Sequence, residues 1–472
     1  MNNFFRNSVL ILLLGGLIPL YSSAQNPIVQ TIFTADPAPM VYNDTLFLYT
    51  GHDEDRSTWF TMKDWRCYST TDMVNWTDRG SPLSVESFNW AGKDAWAGQC
   101  IFRDGKFYWY VPLNQSNGKG MAIGVAVSTS PTGPFADALG KPLIHSGNGD
   151  IDPAVFIDDD GQAYLYWGNP YLKYVKLNED MISFSGDIVT VPPSKEGFNV
   201  RIKDADKRPS AYEEGPWLYK RNELYYLLYA AGGVPEHLAY STAPTATGPW
   251  TYRDTIMSVI QKGGAFTNHP GLVDYKGRSY MFYHNGTLPG GGGFTRSVCV
   301  EDFRYNQDGT IPRIINTNGG ILNSVANLNP FKVVQAETIA WTAGVKTRSD
   351  KGIGVFVTEV DNGDYIKVRS VDFREGAKRF HARVASAIVG SSIEIRLDSL
   401  TGKVLGNLNV KNTGGLKKWE LLSCAVNREK GIHDLYFVFK GQGTELLNFD
   451  CGNLIRKCGI YRCETCMSLQ FT

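Results

Sequence analysis

Four short motifs carry the residues best suited to chemistry: Asp36-Pro37-Ala38, Asp152-Pro153-Ala154, Glu214-Gly215-Pro216 and His269-Pro270-Gly271. Each is followed by an apolar strand, a turn and an aromatic strand, and the aromatic strands end in Tyr49, Tyr166, Tyr229 and Tyr283. A fifth aromatic strand, Phe107-Tyr108-Trp109-Tyr110, falls between the first and second, so the tyrosines stand 61, 56, 63 and 54 residues apart. A β-unit repeated at that period around an axis brings equivalent positions together, however distant they are in sequence. Two Asp, one Glu and one His would then meet in one place. Carboxylates on opposite walls of a pit suit the cleavage of a glycosidic bond: a protonated one donates to the leaving oxygen, while an ionised one activates water or attacks the sugar. Glu214 suits the acid, because like-charge repulsion from Asp152 beside it would raise its pKa. Asp36, farther from the other two, suits the base, and Asp152 tunes and orients. Glu213 is set aside on register, since neighbours along a strand face opposite ways.

A single Asp-Pro is an ordinary turn dipeptide, and recurrence at equivalent positions is what makes these three carboxylates a site. The second unit places Trp96 or Ala97 at the matching point, so that wall carries no charge. His269 reads as a structural or ion-binding residue near the axis. The acidic run Asp158-Asp159-Asp160-Gly161 falls on a hairpin tip and reads as a solvated turn.

The elements that must position these residues are short strands broken by Asn43-Asp44, Asp104-Gly105, Asp160-Gly161 and Lys276-Gly277 turns. Outer segments such as Tyr68-Ser69-Thr70 and Tyr240-Ser241-Thr242 bring each unit to about four strands. Five units over residues 27–313 predict a five-bladed β-propeller; a β-sandwich with irregular hairpins would not keep both spacing and motif. Residues 314–332, with Pro330, read as a linker. Period-two runs such as Ile393-Glu394-Ile395-Arg396-Leu397 then predict a β-sandwich over 333–450, making the chain all-β. After Asp450 the pattern is lost, and 451–472 reads as a tail crowded with Cys451, Cys458, Cys463 and Cys466; no second pair or His completes a zinc site there.

Lys+Arg and Asp+Glu both number 47, which leaves no electrostatic case for nucleic acid or an anionic membrane. Residues 1–24 read as a signal peptide: Arg6, an apolar run from Val9 to Leu20 too short to span a bilayer, and the small-residue site Ser22-Ser23-Ala24. The expected destination is the periplasm or the exterior.

Ala35-Asp36-Pro37, Ile151-Asp152-Pro153-Ala154 and Glu214-Gly215-Pro216 together make residues 30–313 resemble glycoside hydrolase family 43. That resemblance implies a five-bladed propeller that hydrolyses arabinose- and xylose-containing polysaccharides with inversion, with base, pKa-modulating and acid roles on Asp36, Asp152 and Glu214. It also implies that His269 helps hold a calcium ion at the axis and that Arg296 reaches the pocket. Loops carrying Trp59, Phe60, Trp96 and Trp167 would shape the sugar site. Residues 333–450 resemble carbohydrate-binding module family 6, through Gln335-Ala336-Glu337 and Asn448-Phe449-Asp450. This implies a structural calcium held by Glu337 and Asp450, and a sugar contact at Asn448. The sequence departs from that pattern at Leu416, where an aromatic is common, leaving Trp419 for stacking. The pairing looks most like arabinofuranosidases acting on arabinoxylan; a β-xylosidase or mixed activity is the alternative, and a non-catalytic sugar-binding propeller a more distant one. No redox or nucleotide cofactor is implied.

Overall fold

The computed structural model describes residues 25–456 apart from 202, 204–207 and 261. The expected signal segment and Cys458, Cys463 and Cys466 lie outside the described residues.

Five antiparallel meanders follow one another along the chain. The first runs through Phe33–Tyr42, Thr45–Asp53, Met62–Thr70 and Trp76–Asp78, and the third through Ala154–Ile157, Ala163–Trp167, Lys173–Leu177 and Phe184–Thr190. The fourth comprises Tyr212–Arg221, Leu224–Ala231, His237–Ala243 and Thr251–Met257. Tight turns set the hairpins: Asn43 and Asp44 both adopt left-handed φ (46° and 59°), the conformation that matches the twist of the paired strands.

All five repeat tyrosines are fully buried, and three tie their blade to the next. The Tyr49 hydroxyl donates to Pro131 O (2.7 Å), Tyr110 to Met181 O (2.6 Å) and Tyr166 to Ala246 O. The fifth meander has three strands, Gly271–Tyr275, Arg278–Asn285 and Ser297–Phe303. The stretch after residue 24 lies along its edge: Ile28 N donates to Val298 O (2.9 Å), and the Asn26 amide bonds Val300 and Glu301. Blade five meets blade one where Gly271 faces the first motif, and a Cβ there would lie 2.5 Å from Pro37 O. Only glycine permits that approach.

Two further sheets pack face to face over residues 334–455. Ser391–Leu397 alternates buried and half-buried residues along its length, as a strand with one face on the core should. The last strand, however, runs from Asn448 to Ile455, five residues past the expected boundary at Asp450, and Cys451 is buried in it. It is paired on both edges, with Gly354–Thr358 and Arg379–Ala385, and its first four residues are all buried, the polar Asn448 and Asp450 among them. The expected linker is also packed rather than free: Ile314 and Ile321 are buried, Thr317 bonds Glu301, and Leu328 bridges to Val371.

The sandwich is joined to the propeller by backbone. Thr338–Ile339 pairs with Trp76–Asp78, adding a strand to the edge of blade one. Arg369 donates to Gln25 and to the carbonyls of Ile321 and Leu322, and its backbone N–H donates to Asn75. We expect Gly271→Ala to destabilise the protein by about 1–3 kcal/mol through overpacking at the blade five–blade one seam. Chemical denaturation would check this, and an unchanged midpoint would show that the seam yields freely.

Candidate active site

The inner strands are bent where the motifs lie. Pairing of Phe33–Tyr42 with its neighbour slips between Ala35 and Ala38, and Asp36 takes φ 54°. Asp152 takes φ 56° just before its strand begins. In the third motif two register shifts flank Glu214, and Gly215 takes the left-handed φ of 61°. Positive φ on an Asp is uncommon and costs energy, so the surrounding structure must impose it. These bends turn Asp36, Asp152 and Glu214 onto one cavity of about 290 Å³, together with Trp96, Ala97, His269 and Arg296. That volume is roughly ten waters' worth at about 30 Å³ each, room for a single sugar ring.

Arg296 organises the first carboxylate. Its guanidinium meets Asp36 Oδ1 at 3.0 Å and grips Asp53 through Nε and Nη2, both at 2.9 Å, while its backbone N–H also donates to Asp53. Its charge lies over the Phe60 ring, 5.0 Å from the centroid. Burial pushes the Asp53 carboxyl up, but Arg296 outweighs it and holds Asp53 below its usual range. His284 backs Asp36 from behind: its Nε2 pairs with Thr267 O (2.8 Å), leaving Nδ1 to accept the Asp36 backbone N–H (3.3 Å). Burial and then Arg296 push His284 down to about 4, so the ring is neutral, as this arrangement requires.

Glu214 and Asp152 have no such cation. Glu214 is raised to about 7, mainly by burial; the Asn169 amide opposes this from 2.6 Å, and Glu213 and Asp36 add to it. Burial, rather than repulsion from Asp152, is therefore the leading cause. Asp152 is pushed well above its usual range by burial, then by Glu214 and Asp36, and its Oδ2 accepts the Gly215 N–H at 3.1 Å.

Glu213 does not turn away from the cavity, because the bulge cancels the strict alternation on which that expectation rested. It is instead bound by Arg201 and by Arg208 (3.2 Å), which leaves it a salt-bridged wall residue.

Trp96 lines the cavity, its indole donating to Phe60 O (3.0 Å) within a cluster of Trp59, Phe60, Phe266 and Phe294. Trp167 does not. It is fully buried in the blade core, with Nε1 donating to Asp150 Oδ1 (2.8 Å). The residue that reaches the cavity from this strand end is Asn169, two positions on. His269 lines the cavity with its imidazole held neutral, down to about 3, by burial and Arg296. Among the described residues, the one group of three metal-ligating side chains is His52, Glu54 and Asp64, which does not include His269.

In the sandwich, Glu337 Oε2 and Asp450 Oδ1 are buried with no hydrogen-bond partner, while Asp450 Oδ2 accepts from Arg383 (2.6 Å). Burial, then Asp78 and Asp450, raises the Glu337 carboxyl well above its usual range. Orphaned carboxylate oxygens of this kind fit a hard, oxygen-seeking cation. Asn448 is buried, and its amide donates to Leu416 O (2.8 Å), which fastens the loop carrying Leu416. Trp419 packs edge-on against Phe356.

Asp53, Asn169, His284 and Glu236, another cavity-lining acid, went unnoticed in the sequence because they lie outside the repeated motif. The His284-Asn285 end of the blade-five aromatic strand, one residue past Tyr283, was the available signal for one of them.

The sequence profile of glycosyl hydrolases family 43 matches residues 24–311. The chain belongs to that family. As a family 43 glycoside hydrolase it also carries a match to carbohydrate binding module family 6 over residues 335–456. Among its relatives is an arabinoxylan arabinofuranohydrolase of Bacillus subtilis, 33% identical over 90% of this chain and 91% of the relative. The structure of a family 43 arabinoxylan arabinofuranohydrolase from Bacillus subtilis, in complex with cellotetraose, superposes with a TM-score of 0.79 at 32% identity, covering 92% of this chain and 98% of the other. A family 43 β-xylosidase/α-arabinofuranosidase from a compost metagenome, solved with xylotriose in a calcium-free form, covers 62% of this chain and 98% of its own, with a TM-score of 0.56 at 31% identity.

Replacing Arg296 by Met in this hydrolase should destabilise it by about 3–5 kcal/mol, because two buried carboxylates lose their cation. Adding Asp53→Asn should recover part of that stability without restoring activity. Urea unfolding and a glycosidase assay would read the two effects apart.

Proposed function

We propose that this family 43 enzyme removes α-L-arabinofuranosyl side chains from arabinoxylan or a related pentose polysaccharide, with inversion. The observation that carries the chemistry is the contrast between two carboxyls on one cavity. Asp36 is ion-paired to Arg296, and Glu214 has no cation and is raised to about 7. In this reading Glu214 gives its proton to the leaving glycosidic oxygen, and Asp36 takes a proton from the water that attacks the anomeric carbon from the other face. Asp152, whose Oδ2 accepts the N–H of Gly215 next to the acid, orients Glu214 and opposes its charge whenever it is itself ionised. The relative 33% identical over most of both chains supports arabinose as the sugar; the dual-activity neighbour keeps β-xylosidase as the second reading.

Glu214→Ala should lower kcat by about 10²–10⁴-fold on arabinoxylan while leaving product binding intact. Arabinose and xylose release, assayed side by side on wild-type enzyme, chooses between the two sugars. NMR of the first-formed product should show the inverted anomer, and retention would overturn the water-activating role of Asp36. The acid must be protonated, so activity should be present below about pH 7 and fall as pH rises through it; Glu214→Gln should abolish that basic limb.

The sandwich reads as a carbohydrate-binding module stabilised by calcium at Glu337 and Asp450, with the ion serving structure and not the reaction. Added calcium should raise the melting temperature by several degrees and a chelator should lower it, with Glu337→Gln insensitive to both. Equal response of the wild type and this variant would remove the site. Export through the segment at residues 1–24 completes the reading, since the substrate is an extracellular polymer.

A further inference from the structure

Glu236 is a buried carboxyl on the cavity wall that the reaction described above leaves unused. It stands at the start of His237–Ala243 in blade four and fastens to the chain leading into blade five. Its backbone N–H donates to Phe266 O (2.9 Å), and its Oε2 accepts the Asn268 N–H (2.7 Å). The acids around it have clear partners: Asp36 has Arg296, Glu213 has two arginines, Asp152 has the Gly215 N–H and Glu214 has the Asn169 amide. Glu236 has one backbone N–H on one oxygen, and its other oxygen is left for the cavity.

Fold stability does not account for this choice. A neutral amide could accept the Asn268 N–H equally well, without the cost of placing an acid among Glu214, Glu213 and Asp152. Burial and these neighbours push the Glu236 carboxyl well above its usual range, which favours the protonated form, a group that can both donate and accept. A sugar hydroxyl needs that pairing, since it too is donor and acceptor at once. The wall it occupies, beside Phe266, Thr267 and Asn268, is built by the start of the third strand of blade four and the chain leading into blade five.

We propose that Glu236 is a sugar-binding residue, whose free carboxyl oxygen hydrogen-bonds a ring hydroxyl of the pentose in the cavity and fixes that ring between the acid and the base. The assignment rests on the glycosidase reading of the site but not on which pentose it takes. A buried polar group built to meet a hydroxyl selects strongly for sugars that present one there.

The test compares Glu236→Gln and Glu236→Met, both close to the native volume, on p-nitrophenyl α-L-arabinofuranoside and p-nitrophenyl β-D-xyloside. Melting temperature and inhibition by the free product sugar are measured alongside. The wild-type rate ratio on the two glycosides reports the sugar preference by itself, and the variants are then scored against wild type on whichever glycoside it cleaves. Glu236→Gln should stay within about threefold of wild type in KM and product affinity. Glu236→Met should weaken both by tenfold or more, with kcat/KM falling accordingly. Wild-type affinity in Glu236→Met would overturn the proposal. So would equal losses in the two variants, because Glu236→Gln preserves the Asn268 bond and the wall, and its failure would mean that hydroxyl recognition is not what the acid provides.

Discussion

A permanent cation sealed at the seam of the ring is the interaction on which the site depends. Arg296 comes from the chain leading into the last strand of blade five, and both of its partners, Asp36 and Asp53, belong to blade one. One guanidinium thus serves two buried carboxyls, through three hydrogen bonds of 2.9–3.0 Å. The same contact that closes the ring also orients the carboxylate that faces the sugar. Neutral His284 and the glycine at position 271 belong to this arrangement: one takes the Asp36 N–H, the other lets the Pro37 carbonyl come close.

The remainder of the cavity works on the opposite electrostatic principle. Glu214, Asp152 and Glu236 are gathered without cations, so burial and mutual repulsion favour their protonated forms. A single small pit thus holds a carboxyl paired to Arg296 on one side and, beside it, carboxyls whose surroundings favour the protonated form. One residue type performs two tasks because its neighbours differ.

Much of this was legible in the residues. The recurrence of Asp36, Asp152 and Glu214 before aromatic strands marked both the ring and its centre, since symmetry converts a sequence period into proximity. What escaped notice lay where local irregularity overrides alternation. Glu213 borders the cavity because the strand bulges beside it, and Trp167 sits in the core while Asn169 reaches the site, because the strand ends at Trp167 and the Gly168 turn redirects the chain. Residues 451–455, the second half of the last strand, read as tail because an apolar–polar alternation does not continue through Gly452-Asn453-Leu454-Ile455. Partners such as Asp53 and His284 carry no motif of their own and are found only once the chain is folded.

The short pairing of Thr338–Ile339 with Trp76–Asp78 has a consequence for how this protein could be dissected. Severing the chain between propeller and sandwich would leave the outer rim of blade one with bare N–H and C=O groups, a template onto which another chain could add. The second module therefore doubles as a guard against self-association, whatever its affinity for sugars, and a catalytic half expressed alone would need a charged or proline-bearing rim to stay dispersed.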